Sequence, residues 1–449
     1  MAENNIFDLI ILGAGPAGYS AAIRSAQTGK KVLLVEKEKF GGTCLNWGCI
    51  PTKFLWESVN LAKKIRKAGN FGFSAEIKDY SFELIQKKNE KNIEILSKGL
   101  KNLIESYKIE TKNGSAKFIG GKKIEISSID GKKEEIEFKK LIIACGSLPK
   151  DLPNLKIDHN KVIDSRDALQ LKEIPKSLLI IGGGAIGVEM ATIFSYFGSE
   201  VSIIEKEPNI LPGEDVELSE EIKKNLVRSG VSVNTGAVFS DDLRGKFEKI
   251  ILVVGRKPNI DQLFLEKEGI VYTPNGISVN EYLETSVKGI YAAGDVNGKA
   301  YFAYTAIADG LISAENAFVE KNKTEYSNVP KVVFSDPPCA SIGNIPEDLK
   351  EKIVYGKFPF TANSRALIEG ERSGWVKVSV NKKTNEILSG QIIGANADEL
   401  IQLLSIAIRN KLKVDDLRRE LFFHPGLSEA LLCALEDSIN KCVELPKKQ

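Results

Sequence analysis

Two continuous apolar runs, Leu9 to Leu12 and Val32 to Val35, flank a glycine-rich turn and a helical stretch. The same layout returns further on, with Leu178 to Ile181, a second glycine turn, a helical stretch, and Val201 to Ile204. Short apolar runs bounded by turns predict buried strands, and this order predicts a parallel sheet covered by helices. The two copies align without a gap, Gly13 on Gly182 and Glu36 on Glu205, so the chain contains an internal repeat. Elsewhere the pattern changes. Residues 54–106 are mostly helical in pattern, and 115–138 predicts a hairpin turning at Asp130-Gly131. Strands are expected at Leu141 to Pro149 and just before Asp295. From Val329-Pro330 onward, strands (Val332 to Phe334, Trp375 to Val380, Ile387 to Ile393) alternate with helices near 397–410 and 427–440.

Each repeat carries Gly-x-Gly-x-x-Gly between strand and helix: Gly13, Gly15 and Gly18 in the first, Gly182, Gly184 and Gly187 in the second. The first two glycines let the backbone turn and approach a pyrophosphate. The third lets the helix pack on the strand, and the helix N-terminus attracts the anion. Glu36 and Glu205, at the ends of the second strands, can accept hydrogen bonds from ribose hydroxyls. One such turn is weak support for a nucleotide site, since glycine turns also serve structure alone. Two copies with matching glutamates predict two Rossmann-like units and two dinucleotides.

Composition narrows the picture without deciding it. A chain of 449 residues with 43% hydrophobic content has room for several ordinary globular cores. Its 62 basic and 60 acidic residues leave a net charge of +2, which favours neither nucleic acid nor an anionic membrane surface. No apolar run approaches a membrane span, and Met1 to Asp8 lacks the basic and apolar regions of a signal peptide. Six cysteines in a chain this long are not a disulfide framework, so a cytoplasmic location is expected. No metal site is expected.

The chemistry concentrates in two places. Cys44 and Cys49 lie in Gly41-Gly-Thr-Cys-Leu-Asn-Trp-Gly-Cys-Ile-Pro-Thr-Lys53, just after the strand that ends at Glu36. Pro51 can open a helix, and Lys53 follows Cys49 by one turn on the same face. A redox-capable pair is thus delivered to the mouth of a dinucleotide site. The second place is His424 in Phe422-Phe-His-Pro-Gly-Leu-Ser-Glu429. Pro425 is expected to start a helix, with Glu429 one turn along it and able to orient the imidazole as a general base. The other histidine, His159, reads as a solvated loop residue.

The cysteine run resembles the active-site segment of the flavin-dependent pyridine nucleotide–disulfide oxidoreductases, and the likeness covers nearly the whole chain. That resemblance implies an α/β fold with two Rossmann-like dinucleotide-binding domains plus a C-terminal α+β dimerisation domain. The expected boundaries are 1–150 and 280–325 for a discontinuous FAD domain, 151–279 for a shortened NAD domain, and 326–449 for the interface. It implies a Cys44–Cys49 redox disulfide, with Lys53 pairing with Glu189. FAD is expected on Gly13, Gly15, Pro16, Ala17, Gly18, Glu36, Lys37, Gly42, Thr43, Cys44, Lys53, Gly114, Gly146, Asp295 and Ala303. NAD is expected on Gly182, Gly184, Ala185, Ile186, Gly187, Glu205, Val238 and Gly255. His424 and Glu429 would enter the active site from the other subunit of a homodimer. The implied reaction oxidises dihydrolipoamide and passes hydride to NAD+. Implied partners are lipoyl domains and the peripheral-subunit-binding domain of a 2-oxo acid dehydrogenase core.

Several residues depart from the family pattern. Cys145 stands for a threonine, Tyr304 for a histidine, Phe422 for a histidine, and Trp47 for a smaller apolar residue. These bear on flavin potential and regulation. The stretch from Val233 to Gly255 is too short for the usual β-meander, and two short strands and a loop are expected there. Two other readings stay open: a reductase of glutathione-like or mercuric substrates, and a scaffold role within a larger complex. Glu205 disfavours an NADP-linked thiol reductase, although Lys206 softens that argument. Cys339, Cys433 and Cys442 read as structural, and the last residues, Glu444 to Gln449, carry no redox pair.

Overall fold

The protein is described by a computed structural model covering residues 7–318 and 321–446. The two apolar repeats form the centres of two parallel sheets. The first runs in the order Ile290–Ala292, Leu141–Ile143, Leu9–Leu12, Val32–Glu36, Glu110–Phe118, Lys123–Ser128, Lys133–Glu137, its last two strands antiparallel. The second runs Ser232–Thr235, Glu200–Glu205, Ser177–Ile181, Lys249–Leu252, Val162–Ile163, all parallel. Every residue of Leu9–Leu12 and Val32–Glu36 is buried. Continuous apolar strands are what a parallel sheet needs when helices cover its faces.

A third sheet is antiparallel, in the order Lys331–Val333, Cys339–Gly343, Ile387–Ile393, Trp375–Asn381, Ile353–Pro359. It packs against the helices Ala397–Arg409 and Glu429–Ser438 around a core that includes Phe358, Val378, Ile392, Leu404 and Leu431. Two of its strands, Cys339–Gly343 and Ile353–Pro359, were not expected from the pattern. The second holds Gly356 and Pro359, which spoil a strand signal. Gly356 is there because the helix Glu429–Ser438 passes close by: a Cβ would lie 1.9 Å from the carbonyl oxygen of Ala434.

Three further details differ from the sequence expectations. The expected hairpin at 115–138 is the outer part of a three-strand meander, Glu110–Phe118 to Lys133–Glu137, which turns at Asp130-Gly131 and once more before Lys123. The chain returns to the first sheet earlier than 280, because Ile260, Leu263, Leu265, Ile270 and Ile277 pack with Phe7, Ile10 and Leu33. The helix near His424 starts at Glu429, not Pro425. The Gly426 amide donates to Glu429 Oε2 (2.8 Å), so Pro425 to Ser428 form a turn held by the first helical residue. Between Ser232–Thr235 and Lys249–Leu252 the described chain holds only a 3-10 turn at Asp241–Leu243.

The third glycine of each fingerprint is where helix and strand meet. A Cβ on Gly187 would sit 1.9 Å from the Gly182 carbonyl oxygen, and one on Gly18 would sit 1.8 Å from that of Gly13. Both neighbours are backbone and cannot swing aside. Gly187→Ala is expected to lower unfolding free energy by roughly 1–3 kcal/mol, the usual range for overpacking. Thermal melts of the two proteins check this, and equal midpoints would show that the turn yields.

The helix Cys49–Arg66 ties the three sheets together. Lys53 reaches Glu189 beside the second sheet. Trp56 donates its indole N–H to the Ser335 carbonyl (3.3 Å) and stacks edge-on with Phe334, while Lys63 pairs with Asp336 and Lys67 with Glu371. All four of those partners belong to the C-terminal segment.

Candidate active site

A single continuous cavity runs between the first two sheets. Its walls include Gly13, Gly15, Pro16, Ala17, Glu36, Lys37, Gly42, Thr43, Gly114, Gly146, Asp295 and Ala303 on one side. On the other stand Gly182, Gly184, Ala185, Ile186, Glu205, Val238 and Gly255. Cys44, Cys49, Lys53 and Glu189 line it as well. Gly18 and Gly187 do not, since they serve helix packing. The two fingerprints therefore open into one space, with the cysteine pair in its wall.

Local structure explains the cysteine placement. Gly42–Trp47 is a short helix carrying Cys44, Gly48 breaks it, and Cys49 begins the long helix. A thiol at a helix N-terminus feels the positive end of the dipole. Both cysteines carry free thiols. The Cys44 thiol hydrogen-bonds Cys49, which pulls the Cys49 pKa below the usual thiol value, and the Lys53 ammonium acts in the same direction. Cys44 is pushed up by that same bond and by burial. The thiolate is thus favoured on Cys49 over Cys44.

Lys53 is itself fixed. Its Nζ lies 3.0 and 3.2 Å from the two Glu189 oxygens and 4.3 Å from the centre of the Phe334 ring. Glu189 Oε1 also accepts from the Phe334 amide (3.1 Å). The pair expected from sequence is therefore a buried-side ion pair with its carboxylate satisfied, not two stray surface charges.

The duplicated glutamates make duplicated contacts. Glu36 Oε2 accepts from the Ala14 amide (2.7 Å) and Oε1 from the Glu38 amide (2.8 Å). Glu205 Oε2 accepts from the Gly183 amide (2.7 Å) and Oε1 from the Glu207 amide (2.8 Å). Each carboxylate is locked by the glycine turn it serves and keeps lone pairs for ribose hydroxyls. Neither fingerprint helix has a side-chain cap, so its first amides are free for a pyrophosphate. This donor and acceptor set fits an adenine dinucleotide at both sites. Lys206 pairs with Glu207 (3.4 Å) at the surface.

Asp295 sits where the helix Ala303–Phe318 approaches the cavity. It accepts from the Ser147 hydroxyl, and burial raises its pKa. Arg256, which the sequence did not flag, donates to Ser147 Oγ and to its carbonyl (both 2.7 Å). The signal available was the Val-Gly-Arg turn after the last strand of the second sheet. Cys145 borders the cavity and donates to the Leu12 carbonyl (3.4 Å), and desolvation pushes its thiol up to about 12. Tyr304 stacks on Phe302 and donates to the Pro330 carbonyl. Trp47 is capped by the Arg166 guanidinium, 3.7 Å from its ring centre, and Arg166 also bonds Glu38 (2.9 Å).

His424 and Glu429 are placed apart from this cavity. The imidazole Nδ1 lies 2.9 Å from Glu429 Oε1, and the histidine side chain is 69% exposed. The carboxylate fixes one ring nitrogen and leaves Nε2 facing outward. Exposed Leu421 and Phe423 flank the histidine. His159 is not simply solvated: its Nδ1 lies 2.9 Å from Asp167 Oδ2, and that hydrogen bond raises its pKa. Asp164 and Asp167, next to it, are occupied as a reciprocal helix cap.

Comparison with known proteins agrees with these features. Residues 7–310 match the pyridine nucleotide-disulphide oxidoreductase family, and residues 329–435 match the dimerisation domain of that family. A dihydrolipoyl dehydrogenase of Geobacillus stearothermophilus is 36% identical over 98% of each chain. One of Bacillus subtilis is 36% identical over 97% of this chain and 99% of its own. Among solved structures, LpdA of Mycobacterium tuberculosis superposes with a TM-score of 0.89 at 25% identity, covering 96% of this chain and 99% of that one. The disulfide reductase RclA of Escherichia coli superposes at 0.85 with 27% identity, covering 96% and 99%. No helix among the described residues is long and apolar enough to cross a membrane.

Proposed function

Since the chain belongs to the pyridine nucleotide-disulphide oxidoreductases, flavoenzymes that use FAD and NAD, we propose that it oxidises dihydrolipoamide to lipoamide with NAD+ as hydride acceptor. The observation that carries this reading is the Cys44–Cys49 pair with its Lys53–Glu189 support, set in the wall that both nucleotide fingerprints share. FAD is proposed to lie along Gly13 to Ala17, Glu36, Gly42 to Cys44, Gly146, Asp295 and Ala303, and NAD along Gly182 to Ile186, Glu205, Val238 and Gly255.

The cycle starts with the pair oxidised to a disulfide. His424 of the partner subunit takes a proton from one substrate thiol. The thiolate attacks Cys44 Sγ, a substrate–Cys44 bond forms, the Cys44–Cys49 bond breaks, and Cys49 leaves as thiolate. The leaving group is a good one because helix N-terminus and Lys53 stabilise it. The second substrate thiol then attacks the substrate sulfur bound to Cys44 and passes its proton to Cys44 Sγ, closing lipoamide and releasing Cys44 as the thiol. When bound, FAD supplies the carrier that takes two electrons from the reduced pair towards NAD+. Glu429 holds the imidazole orientation throughout. The substrate dithiol is proposed to arrive on lipoyl domains, with a peripheral-subunit-binding domain of a 2-oxo acid dehydrogenase core as docking partner.

The test is NAD+ reduction with dihydrolipoamide, run beside NADPH oxidation with oxidised glutathione. Turnover in the first and not the second supports the reading. The reverse pattern would replace it with the general disulfide reductase that RclA represents.

Cofactor choice follows from Glu205. Its carboxylate repels a 2′-phosphate and accepts from the ribose. Glu205→Ala is expected to weaken NAD+ binding by roughly 1.5–3 kcal/mol, the range for hydrogen bonds to charged groups. Steady-state KM values for NAD+ and NADP+ check it, and equal efficiency with both in the unmodified enzyme would overturn it.

A further inference from the structure

Two cysteines outside the active site meet at the end of the chain. Cys433 is buried on the helix Glu429–Ser438 and belongs to the core under the third sheet. Cys442 follows that helix and packs against the same core. The chain reverses between them. Asn440 is in the left-handed region (φ +55), and the Lys441 amide donates back to the Glu436 carbonyl (2.8 Å). This is the hydrogen-bond pattern that ends a helix and folds the following residues back along it. The reversal folds Cys442 back against the core that holds Cys433, so the two thiols face one another electrostatically, with Cys442 the more accessible and Cys433 the enclosed one. Their spacing in sequence gives no hint of this, since neither residue stands in a motif.

We propose that Cys433 and Cys442 form a second dithiol–disulfide couple, which when oxidised staples the C-terminal segment to the helix that begins at Glu429. The oxidant is a low-molecular-weight disulfide. The Cys442 thiolate attacks one of its sulfurs and displaces the first thiolate, giving a mixed disulfide on Cys442. The Cys433 thiol loses its proton to solvent and attacks Cys442 Sγ, displacing the second thiolate. One protein disulfide forms, one external disulfide is reduced to two thiols, and the electrons balance. The order follows from access: the half-buried thiol reacts first and the buried one resolves it. Unlike Cys44 and Cys49, this pair does not line the cavity, so it exchanges with solvent and not with the nucleotide site.

The sequence makes the test direct. Trypsin cuts after Arg419, Lys441 and Lys447, so Cys433 and Cys442 fall in separate peptides, 420–441 and 442–447. The FAD-loaded full-length enzyme is equilibrated in glutathione buffers of increasing oxidised fraction, quenched with iodoacetamide under denaturing conditions, and digested without reductant. The expected result is a linked pair of these peptides, two hydrogens lighter than their sum, that disappears on reduction and is absent from Cys442→Ser. Cys442 lies at the edge of the core, so this variant leaves the fold intact. Two outcomes overturn the proposal: both peptides separately alkylated at full oxidation, or Cys442 ending as a stable glutathione adduct with Cys433 alkylated. The same map reports Cys44 and Cys49 independently, so inactivity of the main pair would not be mistaken for failure here.

Discussion

Mixing His424→Ala and Cys44→Ser homodimers under conditions of subunit exchange is expected to restore activity. Each parent should be nearly inactive. Loss of a general base costs roughly 10²- to 10⁴-fold, and Cys44 carries the sulfur proposed to be attacked by the substrate. A heterodimer has one site with both defects and one with neither, built from Cys44 of one chain and His424 of the other. Activity should rise toward half of normal per heterodimer. The structural motive is the separation within one chain: His424 is 69% exposed, flanked by exposed Leu421 and Phe423, and absent from the cavity wall that holds the cysteines. If heterodimers are shown to form and no activity returns, the shared site is wrong.

The second large effect concerns the thiolate. Cys49→Ser removes the proposed leaving group, and turnover should fall to background. It should also abolish the long-wavelength absorption that a thiolate gives beside oxidised flavin. Lys53→Met is the graded version. The Cys49 thiol is held down first by the Cys44 hydrogen bond and then by the Lys53 charge. Removing that charge disfavours the thiolate, so the pKa must rise. The pH midpoint for alkylation of the reduced enzyme should move up, by about one unit for the loss of a nearby opposite charge. A midpoint that stays or falls would show that Glu189 had already cancelled the lysine. Retention of the absorption band in Cys49→Ser would reassign the flavin-facing sulfur to Cys44.

Sequence pattern carried far where local physics decides structure. Parallel strands are continuous apolar runs, so Leu9–Leu12 and Ser177–Ile181 stood out, and the repeat fixed their glycines and glutamates at once. The third sheet was half legible. Trp375–Asn381 and Ile387–Ile393 are rich in β-branched residues, whereas Ile353–Pro359 is the edge strand and owes its structure to pairing with Trp375–Asn381 and to a helix pressing on Gly356. Site contacts that cross sheets were legible only through family likeness. Lys53 and Glu189 are far apart in sequence, and nothing local in either residue names the other. Arg256, Ser147 and Asp295 form a chain of hydrogen bonds drawn from three separate segments, which no single window contains. The helix start at Glu429 was missed because a proline usually opens a helix, and here a carboxylate binding the Gly426 amide held the preceding turn open.

The helix that starts at Cys49 limits how freely such a chain can be recombined. Its residues reach the second sheet through Glu189 and the third through Ser335, Asp336 and Glu371. A chimera that imports the second sheet from a relative must bring a carboxylate at position 189, or it strands an ammonium against the Phe334 ring. One that imports the third must keep an acceptor for Trp56. The three sheets look like interchangeable parts in sequence, yet the redox segment makes them inherit one another's changes.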